Sequence, residues 1–176
     1  MTPTITQHDP TTMTVDAADT TEPIIRMTRM FDAPRALVWR VFTDPKHVAR
    51  WYGGHGIENP VCEMDVRTGG LWRHVMRFPD GTEFPLELVF VEVTPPSRLV
   101  WKNADFETRT SGPPPCVNSV SLLEEGRRTR LVLVSRFRTF ADREAAAKSQ
   151  FAQMVSQGSE KLARILERLE REGADA

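Results

Sequence analysis

The chain has 176 residues, of which 40% are apolar and 27% are charged, and its formal net charge is −1. This length predicts a single domain whose core is large enough to fold without disulfide bonds, and the balanced charge argues against a dedicated nucleic-acid-binding protein. No apolar run approaches the roughly 20 residues of a membrane span, and the N-terminus lacks the basic start and apolar stretch of a secretory signal.

The first 22 residues differ in composition from the rest of the chain. They contain eight threonines and four acidic residues but no lysine or arginine. Such a segment has too little apolar surface to offset the entropy lost on ordering. We therefore predict a disordered leader over residues 1–22, one domain over 23–172 and a short tail over 173–176. The alternative is a regulatory leader that folds back over a site.

The pattern beyond residue 22 predicts strands interrupted once by helices. A strand-like segment begins at Ile24, and Pro34 and the pair Asp44-Pro45 then start two short helices, because proline suits the first helical position and aspartate caps it. Six more strand-like segments follow up to Phe137, separated by turn signals such as Pro79-Asp80-Gly81. The short connections predict a seven-stranded antiparallel sheet.

The C-terminal segment has the pattern of an amphipathic helix. Apolar residues from Phe151 to Leu169 recur at helical spacing, and Thr139 and Asp142 form a possible capping box. The pattern predicts one helix of about 28 residues and about 42 Å, long enough to cross a whole sheet. A twisted sheet that wraps around this helix gives an α+β fold and leaves an apolar pocket between the two.

Alternation along the strands predicts which side chains face that pocket. Trp72 and His74 alternate with the outward Arg73, and the same rule turns the apolar residues of the next strands inward. The predicted lining is aromatic and rich in methionine, with His74 as its most polar member: Trp39, Trp51, Trp72, His74, Met76, Leu86, Leu88, Trp101, Phe151, Met154 and Val155.

The sequence carries no recognisable metal or catalytic motif. Zinc-site spacing is absent among the candidate ligands His47, His55, Cys62, His74 and Cys116. There is no Gly-x-Ser-x-Gly motif, and neither cysteine has a visible activating partner. We predict no metal, no cofactor and no catalytic residue. The glycine-rich run 53–56 is interpreted as a loop at the pocket mouth that acts as a gate, and two isolated cysteines favour a cytoplasmic location.

Three segments resemble the Activator of Hsp90 ATPase homologue-like family of the SRPBCC (START/birch-pollen-allergen-like) superfamily: residues 31–35 (FDAPR), 43–51 (TDPKHVARW) and 65–72 (DVRTGGLW). Similar segments at 79–82, 92–100 and 126–131 follow in the family's order. The resemblance implies a helix-grip fold, in which a seven-stranded sheet surrounds a long C-terminal helix with a cavity between them. Two positions depart from the family pattern, Ser159 where many members have tryptophan after glycine, and His74 where relatives often have an aromatic residue.

The first hypothesis is therefore a module that binds a small hydrophobic or amphipathic molecule in this cavity. An alternative is an enzyme of the cyclase or hydrolase type that uses the same cavity, in which His74 acts with Glu63 or Asp65. Another is a protein-interaction module that stimulates a chaperone ATPase. Neither nucleic acid nor a membrane is expected as a partner, and a homodimer through a sheet edge or the short helices is possible.

Overall fold

The computed structural model describes residues 11–174. Within them, eight strands form one antiparallel sheet in the order β1-β2-β8-β7-β6-β5-β4-β3. The strands are β1 (Thr14–Asp16), β2 (Ile24–Phe31), β3 (Glu58–Met64), β4 (Leu71–Arg77), β5 (Glu83–Thr94), β6 (Arg98–Asn103), β7 (Cys116–Glu125) and β8 (Arg128–Phe137). The helices are α1 (Arg35–Thr43), α2 (Pro45–Trp51), α3 (Phe140–Lys148) and α4 (Phe151–Ala174).

The predicted α+β architecture is confirmed, because the sheet curves around α4 and the two short helices follow β2. Asp44 caps α2 as expected, since its carboxylate accepts a hydrogen bond from the Lys46 backbone N–H at 2.9 Å. The inner face of the sheet and the apolar side of α4 share the core, in which Leu162 and Leu166 are buried.

The predicted number of strands is wrong, because β1 adds an eighth strand from within the segment predicted as a disordered leader. Thr14 pairs with Thr28 of β2, and Met13 next to it is buried. The composition did not reveal this strand because an edge strand is held by backbone hydrogen bonds to its neighbour, and these require no apolar pattern. Residues 1–10 of the predicted leader lie outside the described residues.

The single C-terminal helix was also wrongly predicted, because two helices occupy that segment. Thr139 caps α3 as expected, accepting a hydrogen bond from the Asp142 N–H at 3.0 Å. Ser149 then adopts extended backbone, and its hydroxyl accepts a hydrogen bond from the Phe151 N–H at 3.1 Å. A serine favours such a cap over a helix interior, so it ends α3 and starts α4.

Gly158 allows α4 to approach the end of α2 closely. A Cβ atom at this position would lie 3.0 Å from the Trp51 carbonyl oxygen and 3.1 Å from that of Gly53. These are backbone atoms, so a larger side chain requires the chain after α2 to move. The close approach brings the segment 51–53 against the helix, beside the cavity described below.

The short strand β1 gives a first testable prediction. Met13→Ala is expected to lower the free energy of unfolding by about 2 kcal/mol, because it removes a buried side chain from the hydrophobic core. Val15→Ala is the matched control, since Val15 is 43% exposed and should change stability by less than about 0.5 kcal/mol. Urea unfolding of both variants measures the difference, and equal losses would contradict the placement of Met13.

Candidate functional site

A cavity of about 300 Å³ lies between the inner face of the sheet and α4. This volume is at the lower end of the roughly 300–1,000 Å³ found for small-molecule sites. Leu88, Trp101 and Leu133 contribute to its sheet side, whereas Met154 and Val155 contribute to its helix side. Its walls are therefore mostly apolar, as the alternation of the strands predicts.

Most of the residues predicted to surround the cavity do line it. Eight of the eleven are found there: Trp51, Met76, Leu86, Leu88, Trp101, Phe151, Met154 and Val155. Their convergence follows from the inward positions of β4, β5 and β6, from the first two turns of α4 and, for Trp51, from the end of α2. That these residues bind a ligand stays a prediction.

Trp39, Trp72 and His74 are absent from the lining, contrary to the sequence prediction. Trp39 is half-buried on α1, while Trp72 is fully buried and stacks on Phe90 with ring centroids 5.8 Å apart. The ring of Tyr52, which does line the cavity, packs against both Trp72 and His74, at centroid distances of 5.5 and 4.4 Å. Both inward residues therefore lie behind the Tyr52 ring.

His74 has a structural environment. Trp72 donates its indole N–H to Nδ1 of His74 at 3.3 Å, and Nε2 lies 2.7 Å from the side-chain oxygen of Asn59. Because an indole nitrogen only donates, Nδ1 is the acceptor and the proton is on Nε2. Burial lowers the pKa of His74 to about 4. At neutral pH it is an uncharged imidazole whose two nitrogens are both hydrogen-bonded.

The proposed catalytic pairing of His74 with Glu63 or Asp65 is not formed. In the antiparallel register, His74 lies opposite Cys62, so Glu63 points to the other face of the sheet. Glu63 is 3.8 Å from Arg73, and Asp65 is 2.8 Å from Arg67, all with exposed side chains. The carboxylates therefore belong to outer ion pairs, and the enzyme hypothesis loses the only acid–base pair on which it depended.

The structure adds a polar patch that the sequence prediction did not include: Tyr52, Asn103, Cys116 and Asn118, all in the cavity lining. The Cys116 backbone N–H donates to the side-chain oxygen of Asn103 at 2.9 Å, and the Asn118 amide nitrogen lies 3.4 Å from the Cys116 sulfur. Inward-facing asparagines at the adjoining ends of β6 and β7 were the signal available in the sequence.

The cavity lining is close to electrically neutral. Arg109 is the only charged residue among the described residues that line it, and its guanidinium makes two hydrogen bonds of 2.9 Å to the Asp105 carboxylate and one to the Pro113 carbonyl. Burial raises the pKa of the Cys116 thiol to about 11, so this group is protonated at neutral pH. No carboxylate or imidazole occurs in the described lining.

The glycine-rich loop lies beside the cavity, where Gly53 contributes to the lining. Two hydrogen bonds attach the loop to α4: Lys161 donates to the Gly54 carbonyl at 3.1 Å, and the His55 N–H donates to the Gln157 side chain at 2.9 Å. Gly53 has φ of 82°, a conformation that other residues rarely adopt. The position of the loop agrees with the expectation, and its movement as a gate stays a prediction.

Nowhere in residues 11–174 do three or more histidine, cysteine, aspartate or glutamate side chains gather in a group that fits a metal ion. None of the helices in this range combines the length and the apolar character needed to cross a membrane.

The family model described as Activator of Hsp90 ATPase homolog 1-like protein matches residues 32–170. The chain belongs to this family. No curated protein matches its sequence. The strand β1 and the buried Met13 precede the region that the family model matches.

Solved structures share the fold of this family member. A protein from Nitrosomonas europaea is similar with a TM-score of 0.78 and 24% identity, covering 87% of this chain and 99% of its own. A protein from Arthrobacter aurescens has a TM-score of 0.79 and 21% identity, over 88% of this chain and 91% of its own. An AHSA1 protein from Silicibacter pomeroyi has a TM-score of 0.63 and 21% identity, over 82% and 97% respectively. At these identities the comparison establishes the fold alone.

Proposed function

We propose that this protein binds a small hydrophobic or amphipathic molecule in the cavity between the sheet and α4. The observation that carries the proposal is the cavity itself, about 300 Å³ of space with mostly apolar walls. Its one charged residue among the described lining residues, Arg109, is already paired with Asp105. Apolar walls with a few polar groups are typical of small-molecule sites.

The packing around the cavity supports the same conclusion. Protein interiors are close-packed, so the apolar side chains that line a pocket lack contact partners on one side. A ligand that fills the space supplies those contacts.

The chemistry of the lining favours binding over catalysis. A general acid or base requires a group that changes protonation near neutral pH, whereas the Cys116 thiol has its pKa raised to about 11 and His74 lies behind Tyr52. Cys62 and Cys116 are free thiols, which supports a reducing compartment such as the cytoplasm.

Native mass spectrometry of the freshly purified protein, followed by solvent extraction, tests the proposal directly. We expect a stoichiometric adduct that extraction releases as a small apolar molecule. Titration with the uncharged fluorophore N-phenylnaphthylamine provides a second measurement, with saturable binding expected. Protein without an adduct that also fails to bind the fluorophore would overturn the proposed function.

A cavity-filling variant tests the location of binding. Met154→Trp is expected to weaken N-phenylnaphthylamine binding at least about tenfold, because the larger side chain occupies space that the ligand needs. Gln153→Trp is the matched control, since Gln153 is exposed on the same turn of α4 and its replacement should leave affinity unchanged. Cooperative urea unfolding of both variants checks that they are folded. Equal affinity of the Met154 variant and the native protein would place the site elsewhere.

A further inference from the structure

The side-chain oxygens of the two asparagines in the polar patch are occupied. The Asn103 side-chain oxygen accepts from the Cys116 backbone N–H, which fixes the orientation of the amide because a backbone N–H only donates. The Asn118 side-chain oxygen accepts from the Ser135 hydroxyl at 2.6 Å. Protein groups therefore already use the carbonyl side of both amides.

Two donors of the patch have no protein acceptor. The Tyr52 hydroxyl and the Asn103 amide nitrogen make no hydrogen bond to any residue in the described part of the chain. Neither atom is among the fully buried polar atoms without a partner, so both retain accessible surface, and their residues line the cavity. A molecule in the cavity can therefore accept hydrogen bonds from an O–H and an N–H group.

The surroundings of the patch disfavour a charged ligand. Burial raises the pKa of the Tyr52 phenol above its usual value. The same desolvation that disfavours a phenolate disfavours an ion of either sign in the ligand. Arg109 offers no free countercharge to an anion, because two of its N–H groups are bonded to the Asp105 carboxylate.

We propose that the ligand is an uncharged, mostly apolar molecule with a hydrogen-bond acceptor of the carbonyl type, which the Tyr52 hydroxyl and the Asn103 amide bind. This inference rests on the proposed function and adds the class of ligand. Tyr52 is then a specificity-determining residue. Its ring is held by contacts with His74 and Trp72, and its hydroxyl is free for the ligand.

Two uncharged fluorophores of similar size provide the test. Prodan is a naphthalene with a ketone, whereas N-phenylnaphthylamine has no carbonyl group. The variant Tyr52→Phe removes the hydroxyl and keeps the ring. We expect it to weaken prodan binding about three- to tenfold, as for the loss of one hydrogen bond, and to shift the emission of bound prodan to the blue. Its affinity for N-phenylnaphthylamine should change by less than about twofold.

Anilinonaphthalene sulfonate, which is N-phenylnaphthylamine with an added sulfonate, tests the charge. We expect the native protein to bind it at least about tenfold more weakly than the uncharged parent. Equal affinity for the two would overturn the uncharged class of ligand.

Three further outcomes would also overturn the inference. If Tyr52→Phe leaves prodan affinity and emission unchanged, the Tyr52 hydroxyl does not bind a carbonyl group of the ligand. The proposed function would still stand. An equal loss for prodan and N-phenylnaphthylamine would make Tyr52 a packing residue only. If the native protein binds neither uncharged probe and also carries no extractable adduct, the proposed function is overturned together with this inference.

Discussion

Between pH 7 and pH 4.5, His74 is expected to remove roughly 2–3 kcal/mol from the free energy of unfolding. Burial lowers its pKa in the folded protein to about 4, whereas the imidazole of an unfolded chain binds a proton near its ordinary value of 6.5. Unfolding therefore takes up a proton in this range. The stability that His74 contributes is complete above about pH 6.5 and is lost as the pH falls toward 4.

The variant His74→Gln isolates this contribution. Glutamine does not titrate, and its amide offers both an acceptor for the Trp72 indole N–H and a donor for the Asn59 oxygen. Urea unfolding of both proteins at pH 7 and pH 4.5 gives the change in their stability difference. Exposed carboxylates titrate equally in the two proteins, so their contributions cancel in the difference between the two free energies of unfolding. If both proteins lose stability in parallel, His74 is not buried in its neutral form.

Trp72→Ala is expected to lower the free energy of unfolding by about 4 kcal/mol, in the range measured for fully buried tryptophan. Trp72 has 0% of its surface exposed and stacks on Phe90. Its removal leaves a void behind the Tyr52 ring and deprives His74 Nδ1 of its donor. The size of the loss reflects the position of Trp72 in the core.

Leu71 provides the control for this variant. It precedes Trp72 on β4, points to the opposite face and is 47% exposed. Leu71→Ala should therefore change stability by less than about 0.5 kcal/mol. Thermal or urea unfolding compares the two variants. Similar losses would show that the register of β4 differs from the one described, because a shift by one residue exchanges the two faces of a strand.

Sequence periodicity predicted the faces of the strands but not the depth of each side chain. Trp72, His74 and Met76 all point inward, as alternation along β4 requires, yet only Met76 reaches the cavity. The difference arises because Tyr52, at the end of α2, packs against the other two. Such a contact between elements distant in the chain has no local sequence signal.

Two other features were missed for different physical reasons. β1 depends on backbone pairing with β2, so the polar composition of residues 1–22 gave no indication of a strand. Asn103 and Asn118 become a patch only because β6 and β7 place both beside Cys116. Single asparagines near strand ends are ordinary in sequences, and their meaning here comes from the pairing of the two strands.

The pairing of β2 with β8 also limits when the sheet can form during synthesis of the chain. Ile24 pairs with Arg136, so β2 finds its second neighbour, β8, only after nearly the whole sheet has been synthesised. The ribosome releases the N-terminal part of a chain first, and α4 emerges after β8. The cavity therefore has no helix side until α4 has been synthesised. A ligand of this site can stabilise the folded protein but cannot assist the growing chain before α4 is made.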